Sequence, residues 1–249
     1  MTELVMALRD MWDGDGPEIF AGGMPSGPIA QSESDQAVPS GTDNPLWDLI
    51  RWLPAAPYFP GEGPLCPLPH PMSGASAPPV ERSGLSTTYS WSIVSPGDVA
   101  WITAILAGRS VVEVGAGTGY WAWQLEQAGV DVAAYDPNPV GDNSYATGGP
   151  YTTVLRDDAS AVRHHQDRAL LMVWPPYGGA HATHALACYT GDLLIYAGEE
   201  WGGCTADDEF YRLLDTEWDQ IDVAPHHVTW WGIHCRLVAY RRKSTGGAS

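Results

Sequence analysis

Basic residues are scarce in this chain: 12 Lys and Arg stand against 30 Asp and Glu, a formal net charge of −18 over 249 residues. A protein that grips a polyanion needs a basic face, because counterions released from phosphates supply most of the non-specific affinity. Only the short run Arg241-Arg242-Lys243 offers one. DNA, RNA and anionic membrane surfaces are therefore not expected as partners, whereas small or cationic ligands fit. Cysteine is sparse too. Cys66, Cys188, Cys204 and Cys235 lie far apart with no CxxC pair, and read as free thiols in a reducing compartment. The first residues carry acids and no basic segment leading into an apolar run, so no signal peptide is expected. No apolar run approaches the roughly 18 residues of a membrane span. A soluble, cytoplasmic protein is expected.

Glycine (28) and proline (21) are plentiful, and proline concentrates in the first 85 positions. Residues 3–12 have helical spacing, with Leu4, Leu8, Met11 and Trp12 near one face, and Gly14, Gly16 and Pro17 stop that helix. Residues 13–45 read as a long loop. Asp48 to Leu53 is a short helix candidate in which Asn44 can cap and Pro45 suits the first turn. Prolines between Pro54 and Pro79 leave either ordered coil or a lid. Residues 1–85 are thus expected to form an N-terminal helix and a Pro/Gly-rich cap, and residues 86–249 the main domain.

From residue 86 the pattern becomes regular. Pro96 to Leu106 reads as a helix with Ser95 as its cap, and an apolar strand runs from Ser110 to Val114. A helix from Gly119 to Gln127 and a strand from Val130 to Tyr135 follow. Further strands are expected at 152–155, 169–174, 192–197, 220–223 and 233–240, with helices at 180–189 and 207–215. Alternating strands and helices imply an α/β fold with a mostly parallel sheet, and the closing strand pair with no helix between implies one antiparallel edge.

The first strand runs into Gly115, Gly117 and Gly119. Glycines at a strand-to-helix turn let a ligand approach backbone N–H groups at a helix N-terminus. The spacing is neither GxGxxG nor GxxxxGK[ST]. Glu113, two residues before the first glycine, would repel a pyrophosphate but suits the sulfonium and ammonium of S-adenosylmethionine (SAM). Asp136 ends the next strand, roughly twenty residues on, where an acid commonly bonds ribose hydroxyls.

The run Glu113-Val114-Gly115-Ala116-Gly117-Thr118-Gly119 resembles motif I of the class I (Rossmann-like) SAM-dependent methyltransferases, and the resemblance covers roughly residues 86–240. It implies a seven-stranded sheet with helices on both faces and a reversed last strand. It also implies that Glu113, Gly115, Ala116, Gly117, Thr118 and Gly119 hold the cofactor and that Asp136 bonds the ribose. Asp158 falls where the family often has an acid near the adenine amino group, although Asp157 could serve equally. Tyr89, in Tyr89-Ser90-Trp91, lies where such enzymes cover the methionine end of SAM; the alternative is a core aromatic.

Ligands of open α/β sheets sit outside the carboxyl ends of the strands. One strand ends in Trp174-Pro175-Pro176-Tyr177, which resembles the (Asp/Asn)-Pro-Pro-(Tyr/Phe) signature of amino-group methyltransferases. Trp174 stands where the acid or amide would be, and an indole only donates. This departure argues against nucleobase methylation but leaves Trp174 and Tyr177 able to stack on an apolar or cationic group. Glu199, at the end of the next strand, is a candidate base or amine anchor, with adjacent Glu200 as the solvated alternative. Of eight histidines, His227 is the one expected to reach the pocket. His181 and His184 are spaced HxxH but have no third ligand at a telling distance, so no metal is expected. The expected activity is methyl transfer to an oxygen or nitrogen of a small molecule or peptide, in secondary metabolism. The alternatives are a SAM-binding partner protein that has lost catalysis and, disfavoured by Glu113 and the glycine spacing, a nicotinamide-dependent oxidoreductase.

Overall fold

The computed structural model describes residues 41–51, 65–66, 82–230 and 232–244. The expected helix at 3–12, most of the expected loop at 13–45 and most of the proline-rich stretch from Pro54 to Pro79 lie outside these residues. The helices are α1 (Pro45–Ile50), α2 (Arg82–Thr88), α3 (Pro96–Leu106), α4 (Tyr120–Gln127), α5 (His181–Cys188) and α6 (Asp208–Glu217). The strands are β1 (Leu65–Cys66), β2 (Val111–Val114), β3 (Val132–Asp136), β4 (Val154–Arg156), β5 (Ala169–Val173), β6 (Leu193–Gly198), β7 (Trp218–Val223), β8 (Thr229–Trp230) and β9 (Arg236–Arg242).

Seven strands form one sheet in the order β4-β3-β2-β5-β6-β9-β7. The β2–β6 strands run parallel, and β9 lies antiparallel between β6 and β7. This is the sheet with a reversed last strand that the class I methyltransferase resemblance implies. The order changes direction between β2, which continues to β3, and β5, which continues to β6; ligands of open α/β sheets settle at such a point.

The central strands are almost wholly apolar because both faces are covered, with Glu113 of β2 the charged exception. Val111, Leu171 and Ile195 face α3, α4 and α1, whereas Val112, Leu170 and Leu194 face α5, α6 and a 3₁₀ helix at Ala159–His164. The 3₁₀ helix, α2 and the β1–β8 pair carry no periodic pattern and are not foreshadowed by the sequence. Helix α3 forms as expected: the Ser95 hydroxyl accepts from Asp98 N–H and the Asp98 carboxylate accepts from Ser95 N–H, a reciprocal cap. The last strand starts at Arg236 rather than Ile233, because Ile233 N–H bonds back to Trp230 and turns the chain there.

Helix α1 has only six residues, too few to persist alone. Tertiary contacts hold it. Leu46, Trp47 and Ile50 are fully buried in the core of the main sheet. Tyr120 Oη donates to Asn44 Oδ1 at 2.7 Å and accepts from Leu46 N–H at 3.0 Å, while Asn44 Nδ2 donates to the Val94 carbonyl. The segment from Asn44 to Ile50 therefore shares its core with the α/β unit. Among the described residues no helix is long and apolar enough to cross a membrane.

Candidate active site

Strand β2 delivers Glu113 to one face of the sheet and then breaks into the glycine turn. Gly115, Gly117 and Gly119 all have positive φ (74°, 55° and 74°), a backbone region that excludes most side chains. At Gly119 the space is closed as well, since a Cβ would meet Val154 Cγ2 at 2.9 Å. Asp136 anchors the turn from β3: its carboxylate accepts from Gly117 N–H and from Asn138 N–H, both at 2.8 Å.

A cleft opens above this turn. Its inner end, about 40 Å³, is lined by Tyr89, Glu113, Ala116, Thr118 and Tyr120 among others. Its outer part, about 420 Å³, is bordered by Asp136, Asn138, Trp174, Tyr177 and His181. Trp91, Gly115, Gly117, Tyr145 and Val173 line both, so the space is continuous. The outer volume falls in the usual range for small-ligand sites, roughly 300–1,000 Å³.

Glu113 is the least comfortable group in it. The carboxyl is 1% exposed and Oε2 has no hydrogen-bond partner. Burial pushes its pKa up to about 8; a backbone N–H at Ala122 opposes the rise, and the Asp136 and Glu126 charges add to it. An unsatisfied buried acid of this kind costs free energy unless a cation or donor meets it. The residues fit SAM: a carboxyl for an ammonium, a glycine turn that lets a ligand approach the backbone closely, and a second carboxylate at the outer side.

The loop between β3 and β4 forms one wall. Thr147 N–H and Gly148 N–H both donate to the Thr87 carbonyl, which docks this loop on the end of α2. A Cβ on Gly148 would lie 2.2 Å from the Thr88 carbonyl oxygen, a backbone atom that cannot step aside. Gly148→Ala is therefore expected to cost about 1–3 kcal/mol. That lowers the melting midpoint by several degrees, at about 2–4 °C per kcal/mol for a chain of this size. An unchanged midpoint by scanning calorimetry would show that the loop is not held there.

Trp174 follows β5 with φ +49°, rare for a bulky residue and worth about 1–3 kcal/mol of strain. Neighbouring contacts enforce it. Trp174 N–H donates to the Ala197 carbonyl at 2.7 Å, the Pro175 carbonyl accepts from Ala206 N–H, and Pro176 bridges Thr205.

Of the residues expected to bind or catalyse, Tyr89, Glu113, Gly115, Ala116, Gly117, Thr118, Asp136, Trp174 and Tyr177 line the cleft. Gly119 instead caps α4 and packs on β4. Asp158 is exposed and outside the lining; its carboxylate caps the 3₁₀ helix, and the Ser160 hydrogen bonds hold it below the usual carboxylate range. Asp157 is turned to Asp158 N–H.

Glu199 and His227 do not line the cleft. Glu199 accepts from Cys204 N–H, from the Cys204 thiol and from His234 N–H, so its acceptor capacity goes into tying two loops together. Burial pushes its pKa up, but these donors outweigh that and leave it below the ordinary value, which suits an anchor better than a base. His227 is buried beside Asp98 at 3.1 Å, with Ser92 Oγ 3.4 Å from its other nitrogen. Burial opposes its charge, yet Asp98 raises it to about 10. A protonated, enclosed imidazole has no proton vacancy to offer.

The histidine in the cleft is His181, at the first position of α5. Its Nε2 is shielded, has no partner, and sits 3.0 Å from where a Cβ on Gly115 would be. Burial keeps its pKa below the ordinary histidine value against the pull of Asp136, so the ring is neutral at pH 7. The HxxH spacing drew attention to a metal, whereas the useful cue was position: the helix after β5 starts at the carboxyl edge of the sheet. Among the described residues no cluster of His, Cys, Asp or Glu is arranged to hold a metal.

No family model matches the chain. A stretch of 89 residues, 36% of the chain, is 38% identical to the ribosomal RNA large subunit methyltransferase M of Marinobacter nauticus; it spans 24% of that protein's length. Among solved structures, magnesium protoporphyrin IX methyltransferase from Synechocystis PCC 6803 with bound SAM aligns over 98% of this chain and 99% of its own, at 15% identity and a TM-score of 0.42. A TehB-like SAM-dependent methyltransferase from Corynebacterium glutamicum aligns over 59% of this chain and 88% of its own, at 16% identity and a TM-score of 0.40.

Proposed function

We propose that the cleft binds SAM and that the chain is a SAM-dependent methyltransferase acting on an oxygen or nitrogen of a small molecule or peptide, in secondary metabolism. The observation that carries this reading is the buried Glu113 carboxyl at the inner end of the cleft, whose Oε2 has no partner. It would pair with the methionine ammonium, the side-chain-free glycine turn would let the cofactor approach closely, and Asp136 would accept from the ribose hydroxyls with lone pairs left free by its backbone donors. SAM supplies a methyl group on a sulfonium; the chain's part is to hold the acceptor in line with it and keep water out. Trp174 and Tyr177 would hold the acceptor, and His181 is the histidine that would stand beside it. The net charge of −18 and the aromatic lining, free of Lys and Arg among the described residues, disfavour a nucleic-acid substrate, in contrast to what the Marinobacter protein's name describes.

A second reading, a SAM-binding partner protein, draws support from Glu199 and His227 both being committed to structure. Titration calorimetry with SAM, S-adenosylhomocysteine and NAD, followed by a labelled-methyl screen of small-molecule extracts, tests both. Binding of SAM and S-adenosylhomocysteine but not NAD is expected, with label transfer. Binding of NAD alone would overturn the proposal. Binding of SAM without transfer to any acceptor would favour the partner protein. Asp136→Ala is expected to weaken SAM binding about tenfold or more, since it removes the ribose acceptor and loosens the glycine turn.

A further inference from the structure

The outer half of the cleft has a composition of its own. Trp91, Tyr145, Trp174 and Tyr177 line it. Tyr145 and Tyr177 are 68% and 69% exposed, unusual for large aromatics with a core available. Trp91 meets Tyr145 edge to face at 5.9 Å, and its indole N–H is spent on the Tyr145 carbonyl, so the ring has only its π surface to offer. Trp174 is held by backbone contacts on both sides in a conformation that Trp rarely takes, and its partly buried indole packs on the core. Among the described residues no Lys or Arg lines this space, and Asp136 borders it. The Arg82 guanidinium, outside this lining, feels the Cys204 and Glu199 side chains, and its Nε has no hydrogen-bond partner.

We propose that this aromatic wall is the acceptor subsite and takes a flat aromatic ring that carries no anionic group, with Trp174 as the residue that selects it. Preset ring faces favour planar partners, and the electron-rich π surfaces with a neighbouring carboxylate favour neutral or cationic ones. The surrounding acidic chain repels anions. The inference deepens the methyltransferase reading, which supplies what happens to the ring, but ring binding is measurable without it.

Four probes test it by titration calorimetry, on the full chain with and without saturating S-adenosylhomocysteine: 6-hydroxyquinoline, 1-methylquinolinium, naphthalene-1-sulfonate and cyclohexylamine. The first two are expected to bind at least tenfold more tightly than the sulfonate and the non-planar amine. Trp174→Leu should lower ring affinity at least tenfold and leave S-adenosylhomocysteine affinity within about twofold, and Trp174→Phe should restore most of it. Should Trp174→Leu fold poorly, Tyr177→Ala, at an exposed position, should give a smaller loss of the same selectivity. Equal binding of the sulfonate, equal binding of cyclohexylamine, no ring binding, or ring affinity untouched by the variants would each overturn the subsite. Failure of S-adenosylhomocysteine to bind would instead overturn the methyltransferase reading, with the ligand-free titrations still deciding the subsite.

Discussion

Glu113→Gln is expected to make the ligand-free protein more stable at alkaline pH while weakening SAM binding by roughly tenfold to a hundredfold. The carboxyl titrates at about 8 in the folded chain, against 4.5 as its ordinary value, because burial disfavours its charge. Between these values the folded state holds a proton that the unfolded state has released. Stability is thus undiminished below pH 4.5 and falls as pH rises through 8, in total by a few kcal/mol, roughly 3–5. Glutamine keeps the shape and carries no charge to desolvate. The variant's melting midpoint should exceed the parent's at pH 9 and converge with it near pH 5. A midpoint difference that does not vary with pH would refute the assignment. The trade is physically reasonable: a site built for a cation is strained until the cation arrives.

The second large effect is expected away from the cleft. His227→Ala should cost about 3–5 kcal/mol, because it leaves the Asp98 carboxylate buried without its charged partner. At this chain length that is a fall of roughly 10 °C in melting midpoint. His227 has a raised pKa, so the stability from pairing is present below 6.5 and lost as pH rises through about 10. The pair lies beneath the segment that carries Tyr89 and Trp91: Ser92 meets His227, the Ser92 carbonyl accepts from the Trp121 indole, and the Trp91 carbonyl accepts from the Trp230 indole. Asp98→Asn combined with His227→Phe removes both charges and should recover part of the loss, since no ion is then left unpaired. If the double variant is no more stable than the single, the pairing does not account for the cost.

Legibility differed between residues for physical reasons. Glu113, the three glycines and Asp136 are close in sequence and belong to one strand-turn-helix-strand unit, so their proximity follows from local geometry. Glu199 is taken up by Cys204, five positions on, and by His234, 35 positions away, and His227 by Asp98, 129 positions away. No periodic pattern announces any of these partners. His181 lacks a pattern of its own, yet the crossover after β5 brings it over Gly115. Helix α1 was legible as a capped helix from Asn44-Pro45, but not as part of the main core, because Tyr120 and Val94 provide its anchors.

By itself the sequence determined the alternation of strands and helices, the reversed closing strand, and a glycine turn flanked by two acids. These rest on periodicity and on backbone conformations that only certain residues adopt, both local properties. The tertiary structure alone decided which carboxyl stays unpaired, which histidine faces the cleft, and that Trp174 is locked beside it. Those outcomes depend on desolvation and on hydrogen-bond partners that chain folding brings from afar, and spacing along the chain does not encode them.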